Sequence, residues 1–186
     1  MARRMLLAVG ACAAFVAALR VARRAFLAVE VAGESMLPTL RPGEFILLRR
    51  GLPAGAAGRI AFVRGPDGRP LLKRIIGLPG ESVRVGDHVE LNGRELVEDY
   101  VLGTSPAADF RGVNQLGPHE VFLLGDNRVA STDSRHFGPL PVSRVEAVAW
   151  VRYWPPGRVG RIARPRRRFR APTPASSGAT PTLEGA

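Results

Sequence analysis

The sequence contains few of the residues that build disulfides and metal sites. One of its 186 residues is a cysteine, Cys12, so an internal disulfide is excluded. The three histidines, His88, His119 and His136, lack the spacing of zinc ligands, and we expect neither a metal nor a cofactor. Aromatic residues make up only 6%, but an apolar content of 46% is sufficient for the core of one domain.

Lysine is nearly absent. Among 27 basic residues Lys73 is the one lysine, and the others are arginines. Arginine stays protonated and cannot serve as a general base, whereas a buried lysine can lose its proton. Lys73 lies in the apolar, strand-like run Leu71–Leu78. It is therefore a candidate base, with an ordinary surface lysine as the alternative.

Acidic residues are also few, at 16, and the net charge of +11 suggests an anionic partner. The excess lies at the two ends of the chain, and the middle is close to neutral. The arginines of the carboxyl-terminal run are not interleaved with aromatic residues, so we expect no nucleic-acid partner. Contact with anionic lipid and a solvated tail remain alternatives for that run.

Long apolar runs are limited to one, Met5–Leu19. As a helix its 15 residues span roughly 22 Å, short of a hydrocarbon core of about 30 Å, but Arg4 and Arg20 can extend its reach by snorkelling. We predict a membrane anchor in residues 1–24. A cleavable signal peptide is the second interpretation, although the residues after Leu19 form a poor cleavage site. A buried core helix is the third, and the run has no polar face to support it.

Residues 25–155 are predicted to form a mostly β domain, a small folded sheet or barrel-like structure. Asn92-Gly93 is predicted as a hairpin turn between two strands within 89–96, and residues 100–118 as a long loop. Residues 156–186 are arginine-rich and then rich in proline, serine and threonine, which predicts a disordered tail. The other predicted strands are Ala25–Val31, Phe45–Arg49, Arg59–Arg64, Leu71–Leu78, Glu81–Val85, Glu120–Leu124 and Val145–Tyr153.

Two further segments carry groups that can do chemistry. Ser35 follows a short apolar strand and precedes Pro38, so a strand end can present its hydroxyl. The polar segment Gly125–Pro139 follows a buried strand, which is typical of a site or of a tightly bonded turn. Taken alone, a serine in a turn is usually structural, and so are acidic residues and arginines in such a loop.

Three motifs in this order resemble those of bacterial type I signal peptidases, which are membrane-anchored serine proteases. The motifs are Ser-Met-x-Pro-Thr-Leu from Ser35, Lys-Arg-Ile-Ile-Gly-Leu-Pro-Gly-Glu from Lys73, and Gly-Asp-Asn-Arg-x-x-Ser-x-Asp-Ser-Arg-x-x-Gly from Gly125. The resemblance covers about two-thirds of the chain, from Val31 to Trp154. It fits the short, single-anchor members, which also have glycine two positions before the nucleophile, here Gly33.

The resemblance implies a role for each site residue. Ser35 is the expected nucleophile, Lys73 the general base and Ser131 the hydroxyl that orients the lysine amine. Asp133 and Arg135 are the expected structural ion pair nearby. The substrate is expected to carry small residues at the first and third positions before the cut. We expect the pockets for these residues to be lined by Val31, Met36, Leu40 and Leu72.

The expected partners are signal-peptide-bearing preproteins and the lipid bilayer. A general signal peptidase must expose Ser35 on the extracytoplasmic face, whereas Arg20, Arg23 and Arg24 after the apolar run slightly favour the opposite orientation. Two rival functions remain open. One is a processing peptidase of the same fold with one dedicated partner, or a repressor-type autoprotease. The other is a basic membrane- or nucleic-acid-binding protein in which Ser35 and Lys73 are inert.

Overall fold

The structure, a computed structural model, describes residues 15–17, 20, 21, 23–104 and 112–171. These residues are mostly β, as predicted; helix is confined to residues before Phe26, to α1 (Ser134–Phe137) and to 3-10 turns at 142–144 and 156–158. The strands are β1 (Phe26–Glu30), β2 (Phe45–Arg50), β3 (Ile60–Arg64), β4 (Pro70–Gly77), β5 (Ser82–Val85), β6 (Val89–Leu91), β7 (Arg94–Val97), β8 (Val113–Gln115), β9 (Glu120–Leu124), β10 (Leu140–Pro141), β11 (Val145–Trp154), β12 (Gly160–Arg161) and β13 (Arg168–Phe169).

The strands form two antiparallel sheets. The larger has the order β1-β2-β11-β3-β4-β9-β10, with β12 added to β11. The smaller has the order β13-β7-β6-β5-β8. Neither order closes on itself among the described residues, so the domain is a folded sheet, and the barrel-like alternative is wrong for this part of the chain.

Three hydrophobic clusters hold the sheets together. In the first, Met36 and Leu40 pack beneath Ile46 and Leu48 of β2, which fixes the turn after β1. The second lies under β3, β4 and β9. The third joins the sheets, because Phe122 of β9 packs with buried residues of β5, β6 and β7. The large apolar area removed from water in these clusters is the main stabilising contribution.

The strand predictions agree with the structure to within one residue at each end for β1–β5, β9 and β11. The hairpin prediction is also confirmed. Asn92 and Gly93 connect β6 and β7 with positive φ angles of 51° and 74°, which is the backbone that a two-residue type I′ turn requires. The predicted loop 100–118 is only partly right, because it contains β8, which pairs with β5.

The prediction of a disordered tail from residue 156 is wrong for residues 156–171. β12 pairs with β11, and β13 pairs with β7. Phe169 packs against the cluster that joins the two sheets, and Arg167 donates to Ile76 O and to the Glu81 carboxylate. One partly buried aromatic ring and these charge-assisted bonds offset the flexibility that the composition indicated. Residues 172–186 lie outside the described residues.

Within the described residues, no helix is both long and apolar enough to cross a membrane. Most of the apolar run, 5–14 and 18–19, lies outside those residues. The anchor assigned to residues 1–24 therefore stays a prediction, as do the two domain boundaries.

Candidate active site

Ser35 lies in a tight turn between β1 and β2. Leu37 N donates to Glu34 O at 3.0 Å, and Leu40 N donates to Met36 O at 2.8 Å. Met36 and Leu40 are 1% and 0% exposed, so their side chains anchor the turn in the core. Ser35 itself is half-buried. Among the described residues Ser35 N donates no hydrogen bond. The turn therefore presents both the hydroxyl and a free backbone donor.

Lys73 lies in the middle of β4, paired with Ala61 of β3, and is 4% exposed. Its Nζ is 2.7 Å from Ser35 Oγ. Because successive side chains of a strand point to opposite faces, the neighbouring Arg74 is directed away from the amine, as predicted. The structure thus joins two residues 38 positions apart in one hydrogen bond.

Burial lowers the pKa of Lys73 to about 8. The charge of Asp133 opposes this shift, Arg135 adds to it, and Asp126 opposes it, so burial is the dominant cause. The sequence called for a decrease of roughly 2 units from about 10.4, and the structure agrees. A substantial fraction of the amine is therefore neutral just above neutral pH.

The segment after β9 packs directly on the Ser35 turn. Asn127 N donates to Ser35 O at 3.0 Å, and Asn127 Nδ2 donates to Glu34 O at 3.3 Å. Gly125 permits this approach, since a Cβ built on it would lie 2.6 Å from Ser35 O and 2.2 Å from Ser131 Oγ. Asn127 and Gly125 therefore hold the backbone of Ser35 against the segment that follows β9.

Asp133 and Arg135 form the ion pair that the resemblance implied. Arg135 Nε and Nη2 donate to the two carboxylate oxygens at 2.8 and 2.9 Å, and Gly125 N donates to Asp133 Oδ2 at 2.9 Å. Burial raises the pKa of Asp133, but the hydrogen bonds from Arg135 and Gly125 outweigh it, so the pKa lies below its ordinary value. The ionised Asp133 also caps α1, which fixes the loop beside Lys73.

Ser131 lies next to the dyad but does not make the expected bond. Its hydroxyl is buried beside the Asp133 carboxylate, whose pKa it helps to lower, and it forms no hydrogen bond to the Lys73 amine in this structure. Its closeness to Gly125 places it beside the backbone of the nucleophile turn. Its orienting role stays a prediction.

A second buried ion pair lies behind the dyad. Arg74 Nε and Nη2 donate to the Asp126 carboxylate at 2.7 and 2.5 Å, and Arg74 Nη1 donates to Gly58 O at 2.6 Å. Thr39 Oγ1, at the end of the Ser35 turn, donates to Asp126 Oδ2 at 2.6 Å. Arg74 and Asp126 are 1% and 0% exposed. The pair therefore joins β4, β9 and the nucleophile turn at one point.

A third cluster of charges holds the far end of that turn. Glu44, 2% exposed, pairs with Arg152 at 3.1 Å and with Arg158 at 2.9 Å. Both arginines also donate to Thr39 O. Arg158 belongs to the segment predicted as tail, so that segment contributes to the frame of the site.

Three of the four predicted pocket residues are enclosed in the core. Val31, Met36 and Leu40 are 1%, 1% and 0% exposed, whereas Leu72 is partly exposed beside Lys73. Only Leu72 thus has a surface open to a bound peptide. The predicted contacts of the other three with a substrate stay predictions.

Sequence reasoning missed the partner of Asp126 and the whole Glu44 cluster. Asp126 lies in the segment Gly125–Pro139, whose acidic residues are usually structural, but nothing local identifies its partner 52 positions away. The one available signal was Arg74 itself, because an arginine in a buried strand requires a counterion. Within the described residues, no group of three or more histidine, cysteine or acidic residues could hold a metal.

The comparisons with known proteins agree with this geometry. The family profile described as "Signal peptidase, peptidase S26" matches residues 2–154. Signal peptidase I V of Bacillus subtilis (strain 168) is 32% identical over 149 residues, which are 72% of this chain and 89% of that protein. Signal peptidase I of Leptolyngbya laminosa is 35% identical over 149 residues, covering 73% and 72% of the two chains.

A solved structure, that of a signal peptidase I from Enterococcus faecalis V583, is 30% identical, with a TM-score of 0.46 over 53% of this chain and 98% of that one. The profile match extends over most of the sequence and includes all three motifs. The chain therefore belongs to the signal peptidase family, peptidase S26.

Proposed function

We propose that this protein is a membrane-bound serine endopeptidase that removes signal peptides from exported preproteins. Family membership gives the reaction class, and one observation supports the assignment of residues: the 2.7 Å hydrogen bond between Lys73 Nζ and Ser35 Oγ in a buried setting. Nucleophile and base within hydrogen-bond reach are the arrangement that covalent catalysis of peptide hydrolysis needs.

In the proposed mechanism, neutral Lys73 accepts the proton of Ser35 as Oγ attacks the carbonyl carbon of the scissile bond. Ser35 N, which has no other partner among the described residues, donates to the developing oxyanion. Lys73 then gives its proton to the leaving amine, and the signal peptide remains as an acyl group on Ser35. Lys73 next accepts a proton from the water that attacks this ester and returns it to Ser35 Oγ as the acyl group leaves, which regenerates the enzyme.

The proposed substrate is an extended peptide with small residues, such as alanine, at the first and third positions before the cut. β1 is an edge strand of the larger sheet and its chain continues directly into the Ser35 turn, so a peptide can add beside it as a further strand. Leu72 is partly exposed and is therefore the one of the four predicted pocket residues that is accessible to a small apolar side chain.

Cleavage is expected to show a limb that rises with pH through the pKa of Lys73, about 8. The proton must leave before the amine can act as a base, so the rate increases about tenfold per pH unit well below 8 and levels off above roughly 9. The measurement is kcat/KM of the full chain in detergent on a synthetic precursor with alanine at both positions, from pH 6 to 10.

Thermal unfolding followed over the same pH range is the control, since the fold must persist for the rates to be compared. A rate that is constant from pH 6 to 10 would contradict the lysine base. A limb centred near 6.5 would instead indicate a histidine.

We further propose that the chain crosses the membrane once, with its first residues inside and residues 25–186 outside, because precursor cleavage sites emerge there. The difference in flanking charge is small, and the positive-inside preference is statistical. Protease added to intact spheroplasts should remove a tag placed after Ala186. A tag placed before Met1 should be digested only after lysis. Survival of the carboxyl-terminal tag until lysis would contradict this topology.

A further inference from the structure

A cavity of about 530 Å³ lies at the β1–β2–β11 end of the larger sheet. Its walls come from the start of β1, the end of β2, the connection between β2 and β3, β11, and β12 with the residues after it. Its volume falls within the range of small-molecule sites, roughly 300–1,000 Å³. The site and the proposed mechanism use none of the residues that line it.

Four arginines line this cavity: Arg49, Arg59, Arg161 and Arg164. No acidic residue is among the described residues of its wall. The guanidinium groups of Arg49, Arg59 and Arg161 form no ion pair with any described residue, and Arg164 donates only to the backbone carbonyl of Ala57, at 3.1 Å. Elsewhere in the described chain, the buried arginines 74, 128 and 135 each have a carboxylate partner. The cavity is therefore an uncompensated positive site.

Arg59 is the cavity arginine with a buried donor that no described residue accepts from. Its Nε is buried and has no hydrogen-bond partner among the described residues. Burial, followed by the charges of Arg164 and Arg49, lowers the pKa of its guanidinium. Since arginine does not give up its proton in proteins, an anion bound here would stabilise the folded state by pairing with this charge.

The geometry points to a binding site for the phosphate group of an anionic lipid headgroup, formed by Arg49, Arg59, Arg161 and Arg164. Guanidinium groups bind phosphate oxygens through paired, charge-assisted hydrogen bonds, and several arginines around one cavity match a phosphate better than a single carboxylate.

The position of the cavity in the chain favours a lipid over a soluble phosphate, and this step rests on the proposed membrane anchor. Ala25 and Phe26 form part of its wall, and Leu19 ends the apolar run only six residues earlier. Six residues reach at most about 20 Å, so the cavity stays within reach of the headgroup layer. Trp150, stacked on Phe26 with ring centroids 5.2 Å apart, lines the same wall, and tryptophan is enriched at membrane interfaces.

The test measures thermal unfolding of the full chain in a non-ionic detergent while a soluble short-chain lipid is titrated. The probes are dihexanoyl phosphatidylglycerol, dihexanoyl phosphatidylcholine and inorganic phosphate. The test variant is Arg49→Gln/Arg161→Gln, which alters two exposed side chains. The matched control is Arg69→Gln/Arg84→Gln, which removes the same charge from side chains that are 83% and 59% exposed and lie outside the cavity.

We expect phosphatidylglycerol to raise the Tm of the parent protein and of the control, since a ligand that binds only the folded state stabilises it. In the test variant the apparent Kd should rise roughly a hundredfold, about tenfold for each lost contact. Without lipid the test variant should unfold at the same or a higher temperature than the parent, because like-charge repulsion is relieved.

Equal loss of binding in both variants, or no loss in either, would overturn the site. Inorganic phosphate or phosphatidylcholine binding as tightly as phosphatidylglycerol would overturn the assignment to an anionic lipid. Binding is measured without any precursor, so this result is independent of the proposed peptidase activity.

Discussion

Replacing Lys73 by arginine is expected to abolish precursor cleavage, lowering kcat/KM by about 10³-fold or more. The amine lies 2.7 Å from Ser35 Oγ and has a pKa of about 8, so it can accept the serine proton near neutral pH. Arginine keeps its proton under these conditions. Lys73→Met, which removes the basic nitrogen and fills the same buried space, and Ser35→Ala should be equally inactive.

The double variant Ser35→Ala/Lys73→Met should be no less active than either single variant, because nucleophile and base act as one unit. Arg69→Lys, on an exposed side chain, is the matched control and should keep full activity. Each inactive variant should retain its Tm, which separates loss of chemistry from loss of fold. A Lys73→Arg protein with more than about a tenth of the parent activity would contradict the mechanism.

The strands could be predicted closely because their signal is local. The continuous apolar runs of β2 and β9 determine those strands within a few residues, and Asn92-Gly93 supplies the backbone of the hairpin turn. The candidate dyad could be found as well, since Lys73 is the one lysine and Ser35 lies in a recognisable motif. The 2.7 Å contact between Lys73 Nζ and Ser35 Oγ, however, depends on the register of β4 against β3 and on the turn between β1 and β2.

The carboxyl-terminal segment shows why composition misled. Arginine and proline dominate residues 155–170, and such a segment has few apolar groups with which to offset the entropy of ordering. Its contacts are made instead by single residues at separate points: Arg158 on Glu44, Arg167 on Glu81 and Phe169 on the cluster between the sheets. Each contact depends on partners about 45 or more positions away along the chain, which no local pattern reveals.

The buried ion pair between Arg74 and Asp126 also joins residues far apart along the chain, so no local pattern reveals it. Breaking this pair is expected to have the largest effect on stability. Asp126→Asn should lower the free energy of unfolding by about 3–5 kcal/mol, because it leaves the Arg74 charge buried without a counterion. For a domain of this size that corresponds to a fall in Tm of roughly 10 °C. Urea and thermal unfolding of the full chain in detergent measure both quantities.

The matched control is Asp67→Asn, which removes an exposed carboxylate whose partner Arg69 lies at 3.4 Å. An exposed pair of this kind contributes less than about 1 kcal/mol. The double variant Arg74→Met/Asp126→Asn should be less destabilised than the sum of the single variants, since removing both charges leaves neither one buried alone. If Asp126→Asn unfolds no more readily than Asp67→Asn, the pair does not hold β4, β9 and the Ser35 turn together, and the dyad geometry must depend on the Asn127 and Glu44 contacts instead.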